Sequence, residues 1–301
     1  MAAKGVWGAI GAWLARSFGS GKASAPAADA QLPPPAFAPV VPEAPRPSAD
    51  PFDVDADALR AAVLAALPYQ VLTVPGDTAL AEWERLRAAG ESWPVILGGE
   101  DGLTFLAEQF GFDGLPDLPS GDPRDVPAIL RASEDVRLPE AMRARFEEAT
   151  VPPMAPVEAL PLPERGEWPD AAPEPTGLTV VRNLLSNRPH DHVYIALLPT
   201  RNGWEAPAYL YWGGWNDCPD PALHVAQLRS WHERYGAELV GLNADTFNLR
   251  VSRRPESREE ALALAEEQYF YCTDIVDQGT ETLSVLAAAL MADDWWYFWW
   301  D

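Results

Sequence analysis

The chain has 301 residues, 48% of them hydrophobic and 22% charged, enough for a sizeable core and a prior of about two domains. Its formal charge of -23 argues against nucleic acid as a ligand, because a phosphate backbone is gripped through clustered Lys and Arg. Two cysteines, Cys218 and Cys272, are too few for a disulfide-stapled secreted scaffold, and no apolar run approaches the ~20 residues of a membrane span, so the cytoplasm is the expected compartment.

Residues 1–22 read as an amphipathic leader, with Val6, Ile10, Trp13, Leu14 and Phe18 on one helical stripe and Lys4, Arg16 and Lys22 as its charges. Three glycines, two tryptophans and the following Arg16 argue for a retained segment rather than a signal peptide. The alternative to a purely cytoplasmic location is peripheral contact with the inner membrane through residues 4–18. Residues 23–51 are a Pro/Ala-rich linker, a composition that favours extended chain and closes no core.

Residues 52–150 read as a smaller α/β module. A helix is expected over Ala56–Leu67, a strand over Tyr69–Val74, a helix over Thr78–Ala89 capped by Asp77 and stopped by Gly90, and a strand over Trp93–Leu97. Strand, helix and strand over some thirty residues suggest a βαβ unit with parallel pairing. The Gly98-Gly99 pair lacks the further glycine and lysine of a phosphate loop and reads as a turn. Helices follow at 102–111, 125–132 and 139–149, and a second proline-rich linker, 151–176, marks the expected domain boundary.

Residues 177–301 read as an α+β domain with a mixed, mostly antiparallel sheet and packed helices. His192–Pro199 and Ala208–Trp212 are expected to form a hairpin around Asn202-Gly203. Asp220-Pro221 opens a helix that Gly236 closes after Tyr235. Strands over Glu238–Leu242 and Thr246–Ser252 flank a turn at Asn243-Ala244-Asp245. Ser257 and Glu260 have capping-box spacing for a helix to Cys272, on which Glu259/Glu260 and Glu266/Glu267 line a solvated face. A last helix over Thr280–Met291 leads into Trp295-Trp296-Tyr297-Phe298-Trp299-Trp300. As a strand, this run sends Trp295, Tyr297 and Trp299 to one side and Trp296, Phe298 and Trp300 to the other, so it is a strand covered on both faces, a partner-binding edge, or a combination with one face inward and one in a groove.

No phosphate loop, dinucleotide fingerprint, nucleophile elbow or closed metal motif is present, so neither a cofactor nor a metal is expected. Cys218, Cys272, His224 and His232 are the soft ligands available, in no zinc register, and His224 shares a helical stripe with Leu228 and Trp231 that suits a half-buried packing residue. Asp274 and Asp277 sit where side chains cap helix ends, and also where active sites are built. In His190-Asp191-His192 the two histidines share a strand face.

Several words in this half are distinctive in order and spacing: Gly213-Gly214-Trp215-Asn216-Asp217-Cys218-Pro219, Trp231-His232-Glu233-Arg234-Tyr235-Gly236-Ala237-Glu238, Glu259-Glu260-Ala261-Leu262-Ala263-Leu264-Ala265, Asp274-Ile275-Val276-Asp277-Gln278-Gly279 and Phe298-Trp299-Trp300-Asp301. Over about 177–301 the chain resembles the bacterial domain-of-unknown-function family numbered four-two-five-three. Ala79-Leu80-Ala81-Glu82-Trp83 and Pro94-Val95-Ile96-Leu97-Gly98 look like what often precedes that domain, and Thr273 stands where the family pattern suggests proline. The resemblance implies a bacterial origin and an α+β domain, and carries over no activity and no catalytic residue.

The expected function is therefore a non-enzymatic protein-binding or regulatory module, toxin neutralisation being one such role. Its expected partner is a basic protein, and its candidate contact residues are Trp215, Asn216, Trp231, Gln278, Trp299 and Trp300. The alternative is a hydrolase-like or metal-assisted enzyme using Asp217, Cys218, Cys272, Asp274 and Asp277 in one pocket.

Overall fold

The computed structural model describes residues 61, 64, 67–100, 102–103, 125–150, 163–183 and 186–300. The leader, the first proline-rich linker, most of Ala56–Leu67, most of 102–111 and residues 151–162 lie outside the described residues.

Local chemistry explains most of the element ends. After β1 (Gln70–Val74), helix α1 (Ala79–Ala89) stops at Gly90, whose φ of 68° is the left-handed turn that glycine takes without strain. Asp77 is not its cap. The Thr78 N–H bonds to the Pro75 carbonyl (3.2 Å), a turn that puts Thr78 at the helix boundary, where its hydroxyl donates back to Pro75 and caps nothing. Then come β2 (Trp93–Gly98), α2 (Val126–Asp135), capped by Asp125 on Ala128 N (3.2 Å), and α3 (Glu140–Thr150).

In the second half, β3 (Val193–Leu198) precedes a single 3-10 turn (Gly203–Glu205) and the short α4 (Ala206–Tyr209). The expected hairpin at Asn202-Gly203 does not form. The Asn202 side-chain amide and the Thr200 hydroxyl both donate to the Glu205 carboxylate (2.9 and 2.5 Å), Pro207 sits in the first turn of α4, and a Cβ on Gly203 would strike the Trp93 ring. Glycine is there for close packing, not for a hairpin turn.

Helix α5 (Pro221–Tyr235) starts as its sequence demands, with the Asp220 carboxylate accepting from Ala222 N and Leu223 N (2.9 and 3.0 Å) and Gly236 closing it at φ 61°. Strands β4 (Glu238–Leu242) and β5 (Thr246–Arg250) lead to α6 (Arg258–Tyr271). Its box is reciprocal: Ser257 Oγ accepts from Glu260 N (3.1 Å), and the Glu260 carboxylate accepts from Glu256 N (2.8 Å). A π-helical turn over Ile275–Thr280 and a left-handed Glu281 (φ 63°) delay α7 (Leu283–Ala292) until Thr282 can cap it. The chain then enters β6 (Trp295–Trp299).

All six strands form one mixed sheet of order β1-β3-β2-β4-β5-β6, parallel only between β2 and β4. The fold is α+β, as expected. Strands β1 and β2 both run antiparallel to β3, which lies between them, so the βαβ unit is split and its two strands do not pair with each other. The run of β3, VYIALL, is buried at every position but Leu197, and such a strand needs partners at both edges.

The register Phe247↔Phe298 and Asn248↔Tyr297 separates the two faces of the sheet's far end. On one face, Trp231 of α5 stacks on Phe298 (5.2 Å, 11°), Trp212 stacks on Phe247 (4.1 Å), and Tyr271 of α6 meets Phe298 and Trp300 edge-on. Glu267 joins the two helices by accepting from Gln227, Trp231 and Arg234 (2.6, 2.9 and 2.5 Å), so this carboxylate is a bridge rather than part of a solvated face. On the other face, Asn248 Oδ1 accepts from Thr179 N, Thr179 Oγ1 and Val180 N (2.9, 3.0 and 3.0 Å), pinning an extended segment across the sheet. Val180 fits because Gly241 beneath it has no side chain.

Candidate functional site

Two regions concentrate polar groups in unusual settings. The first is a buried thiol and imidazole cluster. The loop that feeds α5 holds four residues at positive φ: Gly213 (116°) and Gly214 (85°) take it without strain, while Tyr211 (47°) and Asn216 (44°) are held there at a cost that the surrounding structure offsets. A side chain at Gly213 would strike the Pro219 carbonyl and the His224 ring. Closed by Gly214 N to Pro219 O (2.9 Å) and Cys218 N to Trp215 O (2.8 Å), the loop brings Cys218 Sγ to 3.4 Å from His224 Nε2. His224 Nδ1 lies 2.6 Å from the Tyr271 hydroxyl, and Cys272 Sγ donates to the Trp299 carbonyl (2.9 Å).

These groups are uncharged near neutrality. Burial drives the His224 imidazole well below its ordinary range, with the Arg145 guanidinium adding to the effect. Burial likewise pushes the Cys218 and Cys272 thiols and the Tyr271 phenol upward, against a smaller opposing pull from Arg145 on Cys218 and Tyr271. His224 is fully buried rather than half-buried, and Cys218 is 3% exposed. A neutral thiol without access to solvent is a packing group with a weak donor, since reactivity belongs to an accessible thiolate.

The remaining candidates are dispersed. Asp217 is exposed on the loop. Asp274 accepts from the Gln278 side chain (2.9 Å), while Asp277 accepts from Tyr269 OH (3.3 Å) and has its carboxyl raised by burial, with Asp274 contributing. Trp231 and Trp300 are core residues, Trp215 lies edge-on to Trp212 (4.6 Å) and is half-buried, and Asn216 is exposed.

The second region is a groove of about 710 Å³ along β6, the edge strand of the sheet. Trp295, Trp296, Tyr297 and Trp299 border it from β6, Ile275, Leu286 and Leu290 from the π-helical turn and α7, and Pro173, Pro175 and Leu178 from the segment that Asn248 pins. Its volume lies within the range of ligand sites, and its mixture of apolar wall and few polar groups is their usual composition. Gln268 of α6 lines it while only 1% exposed, and its side-chain Nε2 has no hydrogen-bond partner among the described residues. A buried amide donor without an acceptor costs about 1–3 kcal/mol and calls for an explanation. Of the sequence candidates only Trp299 lines this groove. Trp295 and Tyr297 were marked only by their alternation along the terminal strand, and Gln268, beside Glu266 and Glu267, by no signal in the sequence.

Among the described residues no group of three or more His, Cys, Asp or Glu is placed to hold a metal ion, and no helix is long and apolar enough to cross a membrane. Residues 194–301, from inside β3 through β6 to Asp301, match the family model "Domain of unknown function (DUF4253)". This C-terminal part of the chain is thus a DUF4253 domain, as its distinctive words suggested. No curated protein and no solved structure matches the chain.

Proposed function

We propose that the protein is a non-enzymatic protein-binding or regulatory module of the cytoplasm whose recognition surface is the groove beside β6. The observation that carries this reading is an open groove of about 710 Å³ bordered by the half-buried rings of Trp295 and Tyr297 and by the exposed carboxylates of Asp77 and Glu174. A bound partner that covers those rings would take apolar surface out of water and meet the carboxylates at the rim. The titratable cluster at Cys218 and His224 contributes support from the other side, since its groups are neutral and enclosed and suit a scaffold better than a reaction.

The test uses the full chain tagged at its N-terminus and captured from its native cells, beside the variant Ala289→Trp. Ala289 is half-buried on α7 and lines the groove, so an indole there fills it. The expected result is a partner retained by the wild type and lost from a variant whose circular dichroism and melting temperature are unchanged. Capture of the same proteins by both would remove the groove from the function.

A further inference from the structure

We infer that the groove takes an extended, lysine- or arginine-bearing peptide segment of a partner protein, laid along the outer edge of β6. The inference rests on the binding reading above and adds to it the chemistry of the occupant.

Edge geometry comes first. Trp300 N bonds to Asp245 O (3.0 Å) on the side of β5, while the Trp299 carbonyl, in the same peptide group, accepts the Cys272 thiol on the opposite side. Main-chain polar groups alternate sides along a strand, so the N–H and C=O of Tyr297 also point away from β5. β6 is the last strand of the sheet, and Tyr297 lines the groove. Strand addition uses such outward-facing groups and places alternate side chains of the incoming segment in flanking pockets.

Charge then selects the occupant. The charged residues that line the groove are Asp77, Glu174, Asp293 and Arg182, three carboxylates against one guanidinium, in a chain of net charge -23. The Asp293 carboxylate already accepts from Thr176 N and Trp295 N (3.1 and 3.2 Å), whereas Asp77 and Glu174 are exposed. An acidic segment would meet repulsion from all three, and a basic one attraction. The aromatic border acts in the same sense. Trp295 and Tyr297 are half-buried at the groove, with Tyr297 backed by the nearly parallel ring of buried Trp299 (6.1 Å, 21°), and Arg250 already lies 5.9 Å from the Trp295 ring. The π faces of such rings attract an ammonium or guanidinium head while its methylene stem packs on them.

The experiment is fluorescence anisotropy of two labelled probes of strand length, one alternating lysine and threonine and the other glutamate and threonine, titrated with the full chain. The lysine probe should bind saturably and the glutamate probe should not. The double variant Asp77→Asn/Glu174→Gln, which changes exposed side chains only, should weaken the lysine probe about tenfold, and Ala289→Trp should abolish its binding. Equal binding of the lysine probe to wild type and both variants would mean adsorption to the acidic surface and overturn the inference, as would equal binding of the two probes. A captured partner lost on filling the groove, together with no binding of the lysine probe, would overturn the basic segment and leave the binding reading standing. With no captured partner, the binding reading itself falls.

Discussion

The two sides of β6 spend the same kind of residue on different ends. Trp296, Phe298 and Trp300 face α5 and α6 and are at most 2% exposed, with Trp231 and Tyr271 packed against them. On the other side Trp295 and Tyr297 border a groove and stay half-buried, and only Trp299, beside Gly279, is covered to 3% exposure. Aromatic content therefore does not decide burial; what decides it is whether another element can bring a complementary ring to that face. Here two helices tied through Glu267 do so on one side, and on the other an extended segment held by Asn248 leaves room.

Three substitutions sharpen or break this contrast. Phe298→Ala should cost about 3–5 kcal/mol in urea unfolding, since it empties a packed site between Trp231 and Tyr271, whereas Trp295→Ala should cost well under half as much. Equal losses would abolish the distinction between the faces. Asn248→Ala removes one oxygen that accepts from two main-chain N–H groups and a hydroxyl, and should cost about 2 kcal/mol and speed hydrogen exchange at Thr179 and Val180. Unchanged exchange there would show that the segment is held by other means.

The smallest effect is a pH dependence. Burial holds the folded His224 imidazole well below its ordinary value of 6.5, so below pH 6.5 the unfolded chain takes up a proton that the folded chain refuses. Stability is then full above that value and falls as pH drops from 6.5 toward 5, by up to about 1.4 kcal/mol per pH unit. The melting temperature of the wild type should show this decline and that of His224→Gln should show much less of it. A parallel decline in both would place the titration elsewhere.

How much of this could be read from the sequence varies with the range of the forces involved. Helix α5 was legible to the residue because Asp220, Pro221 and Gly236 act within one turn, and the α6 box because Ser257 and Glu260 are three apart. Alternation grouped Trp296, Phe298 and Trp300 on one side of the terminal strand, but which side is buried was not legible, and Trp300, read as a contact residue, is in the core. Asn202-Gly203 misled because the demand on Gly203 comes from Trp93, 110 positions earlier in the chain. Among the candidate residues, Cys218 and His224 did come together, six positions apart, but their enclosure by Tyr271 and Trp300 is a tertiary fact. The groove was the least legible feature, since its walls come from residues 76–80, 173–189 and 268–299, which no local pattern connects.

The position of β3 in the strand order has a consequence for the route by which the chain reaches its native state. Ile96 and Ile195 are register partners, as are Val74 and Val193, so β2 waits for a strand about 100 residues later and β1 for the same strand about 120 residues later before either finds its neighbour. Closing a loop of that length carries an entropy cost that no ladder bond repays until the ends meet. Such non-local pairing sets a slow folding rate, and the early strands, apolar and unpaired meanwhile, are the part of the nascent chain that most needs protection from aggregation.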